Sequence, residues 1–253
     1  MKRLTLFENQ EAYDAAKYGL DYPNVSVLTA SPNTPIYVNE APTPSHEFVE
    51  IGGVKWATMN VGATGITDYG LYFQWGGTQG YTADQCGSGE GQKYFGWTDT
   101  PYYTGDTGSG SSGFTKYNSS TGLTTLEAVD DAVTANWGGD WRMPTTAEYA
   151  ALGNATTSAW TTNYQESGKA GLVLTSTADT NVKLFFPAAG YCSNGGVYNV
   201  GSNGYYWSSS LNTSNVVFGY GLSFNSSNVR WQLNYYRFSG FAVRGVFGEN
   251  SSN

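Results

Sequence analysis

A chain of 253 residues is long enough to bury a sizeable core in one main domain, and 33 glycines and 20 tyrosines beside only 13% charged residues point to a Gly-rich β or α+β protein. The net charge of −8, with no Lys/Arg cluster, argues against a nucleic-acid partner, because a polyphosphate backbone would be repelled. Cys86 and Cys192 stand without a CxxC and far from the one histidine, His46, so no zinc site is readable, and whether the two cysteines pair is left open.

The opening MKRLTLFENQEAYDAAKYGL holds no apolar run of signal-peptide length and no stretch of ~20 apolar residues, so no membrane insertion is expected. Residues 7–19 read as a helix, and "DYPNVSVLTASPNTPIYVNEAPTPS" as short strands broken by Pro23, Pro32, Pro35, Pro42 and Pro44. Residues 1–45 are expected to be an N-terminal adaptor ending in a Pro-rich linker, 46–248 a ligand-binding domain, and 249–253 a tail. "EFVEIGGVKWATMNV" reads as a hairpin turning at Gly52-Gly53, and "YGLYFQWGG" (69–77) as a further strand. The polar stretch from Thr78 to Asn118, which contains "TGDTGSGSSG", is long enough to be functional or mobile.

Two capping boxes follow, Thr124-x-x-Glu127 and Thr145-x-x-Glu148, each announcing a helix. After Asn154 the runs "AGLVLTST", "VKLFFPAAGY", "GYYWSSS", "VVFGYGLSFN", "VRWQLNYY" and "GFAVRGVF" are strand-like, with turn residues between them. Strands at both ends and helices in the middle fit α+β rather than a parallel βαβ sheet. In 217–224 the apolar Phe218, Tyr220, Leu222 and Phe224 alternate with Gly219, Gly221 and Ser223. The next run sets Val229, Trp231 and Leu233 against Arg230, Gln232 and Asn234, and Asn225-Ser226-Ser227-Asn228 makes the turn. The period of two predicts an antiparallel hairpin with one packed and one presented face.

A solvent-facing hairpin is commonplace, but the composition around this one is not. From Tyr191 to Gly240, 32 of 50 residues are Tyr, Ser, Asn or Gly, the types that dominate antibody paratopes. Tyr gives rigid contact area at low entropy cost, and Ser, Asn and Gly give adaptable hydrogen bonding. A ligand-binding face is the expected use.

"WGGDWRMPTTAEYAAL" (137–152), "FPAAGY" (186–191), "GYYWSSS" (204–210) and "GFAVRGV" (240–246) resemble C-type-lectin-like domains of the formylglycine-generating-enzyme type, in the Fibrobacter major paralogous branch that includes variable proteins of diversity-generating retroelements. The resemblance spans roughly Glu47 to Val246. It implies a C-type lectin fold, with two helices and mainly antiparallel strands, whose "YWSS" and "GFAVR" segments are scaffold around displayed, diversified positions. Adenine mutagenesis of a template turns AAY codons into NNY codons, which never encode Trp, Gln, Lys, Glu or Met. The absence of Lys and Glu from Tyr191 to Gly240 agrees with that filter, while Trp207, Trp231 and Gln232 would be template constants or come from other codons.

Two departures narrow what the resemblance carries. Catalytic members use a reactive cysteine pair late in the domain, where this chain has Cys192 alone, so no enzyme activity is expected. The Glu-Pro-Asn, Gln-Pro-Asp and Trp-Asn-Asp triplets of calcium-dependent lectins are missing, so neither a metal nor a cofactor is expected. Among single residues, Asp130-Asp131 reads as a solvated helix face, Glu148 as a capping residue, and Trp137, Trp141 and Trp207 as core. Consecutive aromatics at Tyr235, Tyr236 and Phe238 cannot all face inward. The variable face is expected at Tyr198, Tyr205, Asn212, Ser214, Gly221, Ser223, Arg230, Asn234, Tyr235, Tyr236, Phe238 and Ser239. Its partner would be a host-surface protein or glycan. The chain would sit on a phage tail or a bacterial cell surface, joined by its N-terminal segment to a larger assembly, which a homo-oligomer would satisfy.

Overall fold

A computed structural model describes residues 25–29, 35–39, 46–105 and 113–248. The helix expected over 7–19, the tail 249–253 and most of "TGDTGSGSSG" lie outside those residues. Internal contacts divide the chain into two units, Met1–Ser45 and His46–Asn253. In the first, β1 (Val25–Thr29) pairs antiparallel with β2 (Pro35–Asn39).

The second unit is α+β, with two α-helices and antiparallel sheets among the described residues. β3 (Phe48–Ile51) and β4 (Val54–Asn60) form the hairpin expected at Gly52-Gly53, where both glycines take the left-handed φ, +62° and +77°, that a two-residue turn of this hand requires. The last strand, β14 (Arg244–Phe247), inserts between β4 and the short β5 (Trp141–Arg142), so the two ends of the unit share one sheet. A second sheet contains β6 (Thr156–Thr161), β7 (Gly171–Ser176) and β8 (Lys183–Pro187). β9 (Tyr191–Ser193) pairs with β10 (Gly196–Tyr198), and β11 (Asn203–Leu211), β12 (Phe218–Asn225) and β13 (Val229–Tyr236) form the third large sheet. None of these sheets closes on itself.

The second capping box is real. Thr145 and Glu148 exchange hydrogen bonds at the start of α2 (Thr146–Asn154), and Glu148 also pairs with Arg142 at 2.6 Å. The first box does not form. Thr124 gives its carbonyl to Leu211 N–H and Glu127 its carboxylate to Lys116, so α1 (Ala132–Trp137) starts later, capped by Asp131. Asp131 accepts from Val133 and Thr134 N–H through one oxygen and from Met143 N–H through the other. Asp130 accepts from Lys116, Tyr102 and Tyr117. Both aspartates are buried, which overturns the solvated-face reading: their neighbours supply enough donors to replace water. The segment 69–77 makes only isolated bridges, Tyr72 to Tyr81 and Phe73 to Phe241, although Tyr72, Phe73 and Trp75 are core.

The third sheet lies inside the unit. Tyr206 and Trp207, neighbours on β11, point to opposite faces, and both are fully buried. Tyr206 belongs to one apolar cluster with Trp56, Tyr149, Phe186 and Leu222, and its hydroxyl donates to Pro187 C=O at 2.6 Å. Trp207 belongs to a second with Trp75, Trp141 and Phe241, and its indole N–H donates to Phe73 C=O at 2.9 Å. Trp141 and Trp207 thus fill the core as expected, whereas Trp137 is half-buried and stacks on His46 at 4.0 Å.

Candidate functional site

The site is built from the outer half of the third sheet and the β9–β10 hairpin. The β12–β13 hairpin forms as expected, with Asn225 Oδ1 accepting from Ser227 and Asn228 N–H at the turn. Its faces differ from simple alternation. Gly219 and Gly221 are buried, not presented: a Cβ on Gly219 would stand 2.5 Å from the Trp75 ring, and one on Gly221 2.3 Å from Tyr206 C=O. The smallness of Gly219 makes room for Trp75 of the second core cluster, and that of Gly221 for the close approach of the β11 backbone.

β13 also carries a bulge. Gly221 faces Leu233 but Ser223 faces Arg230, so three steps on β13 match two on β12. Val229 and Trp231 pack against the first cluster, while Leu233 and Tyr235 pack against the second. The expected Val229-Trp231-Leu233 stripe is therefore split across the sheet, and Arg230 shares a side with Leu233 and Tyr235.

On that side Tyr205, Ser223 and Arg230 stand in register across three strands. They and Asn203, Asn225, Asn228 and Tyr235 surround a cavity of about 240 Å³ lined by no acidic side chain. Beside it Tyr191 lies 5.4, 5.0 and 5.7 Å from the rings of Tyr198, Tyr205 and Tyr235, and Phe241 forms the buried floor under Tyr205 and Tyr235. Separations of this size are favourable for edge-on and tilted aromatic pairs, so the cluster fixes its own side chains before any ligand arrives. Burial pushes the Tyr205 hydroxyl up, partly offset by the Asn199 and Asn203 side chains and the Arg230 charge. Burial and then Tyr191 push Tyr235 up further. Both hydroxyls stay protonated at neutral pH, able to donate as well as accept.

Tyr236 leaves the opposite side of β13 with Phe218, which it contacts at 4.8 Å, and is 43% exposed. It covers Phe238, which is also held by Trp97 at 4.7 Å and is only 7% exposed. Of the residues expected on the face, Tyr198, Ser214, Arg230, Asn234 and Tyr236 are exposed, Tyr205 and Tyr235 half-buried, and Ser223, buried between its neighbours rather than displayed, lines the cavity. Four others are corrected. Asn212 is buried and caps its own turn by accepting from Ser214 and Asn215 N–H. Gly221 is buried for the steric reason above, Phe238 lies under Trp97 and Tyr236, and Ser239 is fully buried with its carbonyl on the Trp207 indole.

The sequence reading missed Tyr191, Asn203, Asn225 and Asn228. Tyr191 was hidden inside a scaffold motif and the two later asparagines inside a turn; the paratope-like composition around them was the available signal. A second concavity of about 540 Å³, between Gln74–Gln79 and Thr98–Tyr102, contains the Lys93–Asp99 ion pair and Asp130. Cys86 and Cys192 form a disulfide that ties the loop after Thr82 to β9, and both are buried. Among the described residues no group of three or more His, Cys, Asp and Glu side chains is placed to hold a metal ion, and no helix is long and apolar enough to cross a membrane.

A family model described as a domain of unknown function (DUF8237) matches residues 173–246, the stretch from β7 to β14 that contains the cavity and the tyrosine cluster. No curated protein and no solved structure matches the chain.

Proposed function

We propose that the second unit is a ligand-binding display domain of the C-type-lectin-like, retroelement-diversified kind, carried on a phage tail fibre or a bacterial cell surface. Its binding face is the solvent-reaching, tyrosine- and amide-rich surface of β9–β13, which includes both sides of the outer strand β13. One observation carries the reading: the segments that resemble the family's scaffold are buried, while most of the Tyr, Asn and Ser residues between them, Asn212, Ser223 and Ser239 excepted, reach solvent. Trp207, Ser208 and Ser209 of "YWSS" and Phe241, Ala242, Val243 and Arg244 of "GFAVR" are all buried. Arg244 donates to Asn60, Ala57 and Phe185 and stacks on the Phe186 ring at 4.6 Å. A fixed frame with preset aromatic side chains on its surface binds without a large ordering cost.

A fixed-specificity, metal-independent carbohydrate-binding adhesin would use the same face. A near-identical template repeat beside a reverse-transcriptase gene selects the diversified form, and an undiversified locus selects the adhesin. A formylglycine-generating-type oxidase would require reactive thiols, and the two cysteines are joined to each other in the interior.

The test compares the full chain with a variant carrying Tyr198→Ala, Arg230→Ala, Asn234→Ala and Tyr236→Ala, on a glycan array and on a panel of bacterial strains. The expected result is retention of the parent on at least one target and at least tenfold weaker retention of the equally folded variant, as loss of interface anchors produces. Equal retention of both, or none of the parent anywhere, overturns the reading.

A further inference from the structure

Between Leu184 and Gly248 the sequence contains no Asp, Glu, Lys or His and only three arginines. Arg237 and Arg244 are fully buried. Arg237 lies over the Phe114 ring at 3.8 Å and donates to Tyr117 and Val216 carbonyls. Arg230 is exposed, at the rim of the 240 Å³ cavity, and among the described residues no ion pair engages it. The strands of the proposed face thus present one solvent-facing charge, positive, on a chain whose net charge is −8.

We propose that this cavity binds a carboxylate-bearing sugar, a hexuronic-acid type of residue, with the carboxylate on Arg230 and the hydroxyls on the surrounding amides and hydroxyls. The inference rests on the binding-face reading above and names its ligand chemistry. A guanidinium matches a carboxylate with two parallel hydrogen bonds, which a neutral group cannot form. Asn203, Ser223 and Asn228 bring both donors and acceptors, and the protonated Tyr205 and Tyr235 add more. A sugar, each of whose hydroxyls donates and accepts, satisfies them together. An acidic peptide side chain would engage Arg230 and leave the other polar groups without partners, a loss that binding sites of this kind discriminate against. The cavity volume suits a single pyranose-sized group.

The experiment titrates the full 15N-labelled chain with sodium D-glucuronate, D-glucose and the end-blocked tripeptide Gly-Asp-Gly, following amide resonances around the cavity. Glucuronate is expected to saturate in a range on the order of millimolar, as befits one small rigid ligand, with the largest shifts at Asn203, Tyr205, Ser223 and Arg230. Glucose and the tripeptide are each expected to bind at least about tenfold more weakly. Arg230→Gln should bring glucuronate down to the level of glucose, and Arg230→Lys should recover part of the difference, since a lysine keeps the charge and loses the fork. Four results overturn the inference: glucose as tight as glucuronate, tripeptide as tight as glucuronate, glucuronate binding unchanged in Arg230→Gln, or no cavity shifts up to ~100 mM glucuronate. If one of these occurs while the four-position variant still loses cell or array retention, the binding face stands and the acidic-sugar assignment alone falls.

Discussion

In the loops between Thr78 and Asp131 the buried and half-buried charges are answered from within: Lys93 by Asp99, Lys116 by Asp130 and Glu127, and Asp131 by three backbone N–H groups. Between Leu184 and Gly248 polar side chains are fewer, but on the outer strands all except Arg230 are neutral, and most reach solvent. The first region uses its polar groups to hold irregular backbone in place. The second leaves that work to buried aromatics and keeps its polar groups free. Whether a polar residue belongs to the structure or to a ligand therefore depends on what lies under it, not on its type.

The strongest way to break that comparison is to remove what lies underneath. Trp207→Ala, Phe224→Ala and Phe238→Ala each delete a buried aromatic, and losses of about 3–5 kcal/mol are expected for Trp207 and Phe224, which sit at 0% and 2% exposure. Phe238, nearer the surface, should lose somewhat less. Denaturant unfolding measures all three. A loss below ~1 kcal/mol at Trp207 would mean that the sheet is not held by its two clusters.

Phe238 also shows where sequence reasoning stopped. The succession of strand segments after Asn154, both hairpins and the α2 cap were legible, because each rests on local pattern: turn residues, a capping box, alternating apolar residues; the scaffold role of "YWSS" and "GFAVR" came from the resemblance alone. The placement of Phe238, Ser239, Asn212 and Gly221 was not, because it depends on contacts from elsewhere in the chain. Trp97 covers Phe238 from 141 positions away, and Trp75 occupies the space over Gly219. The bulge that moves Leu233 and Tyr235 to the side of Arg230 has no sequence mark, since residues 229–234 alternate perfectly. The cavity follows from that bulge, so the side chains of the candidate site were readable as a composition and not as a place.

A middle-sized effect is expected in the charged loops. Burial raises the Asp130 carboxyl, but the hydrogen bonds from Lys116, Tyr102 and Tyr117 outweigh it and hold the group below its ordinary 3.8. Its folded pKa is thus below its unfolded one, so its stabilisation is present above pH 3.8 and is lost as pH falls through the lowered value. Glu148, lowered by Arg142 and Thr145 against its burial, acts in the same direction; Asp131, raised by burial, acts in the opposite one. Asp130→Asn should cost about 2–3 kcal/mol at neutral pH, because Lys116 and two tyrosine hydroxyls lose a charged acceptor. The variant should also lose less further stability than the parent as pH falls below 3.8. Parallel stability–pH curves for the two proteins would show that Asp130 gains nothing from its neighbours.

The smallest effect is the most informative about function. Tyr236→Ala and Arg230→Ala remove exposed side chains whose contacts are few or one-sided: Tyr236 lies on Phe218 and Phe238, and Arg230 only at the rim of the cavity. Arg230→Ala should stay within about 0.5 kcal/mol of the parent, the usual range for a surface change. Tyr236→Ala should cost slightly more, since it uncovers part of Phe238. Set beside the 3–5 kcal/mol expected at Trp207 and Phe224, the gap is wide enough for thermal melting to resolve. Residues of the same strands would then divide cleanly into those that hold the sheet and those that leave its stability untouched. A large, neutral, amide-rich surface that contributes nothing to stability is one whose composition must be explained by what it touches. If instead Arg230→Ala destabilises as much as Phe224→Ala, the outer face is part of the core, and the contrast between the two regions disappears with it.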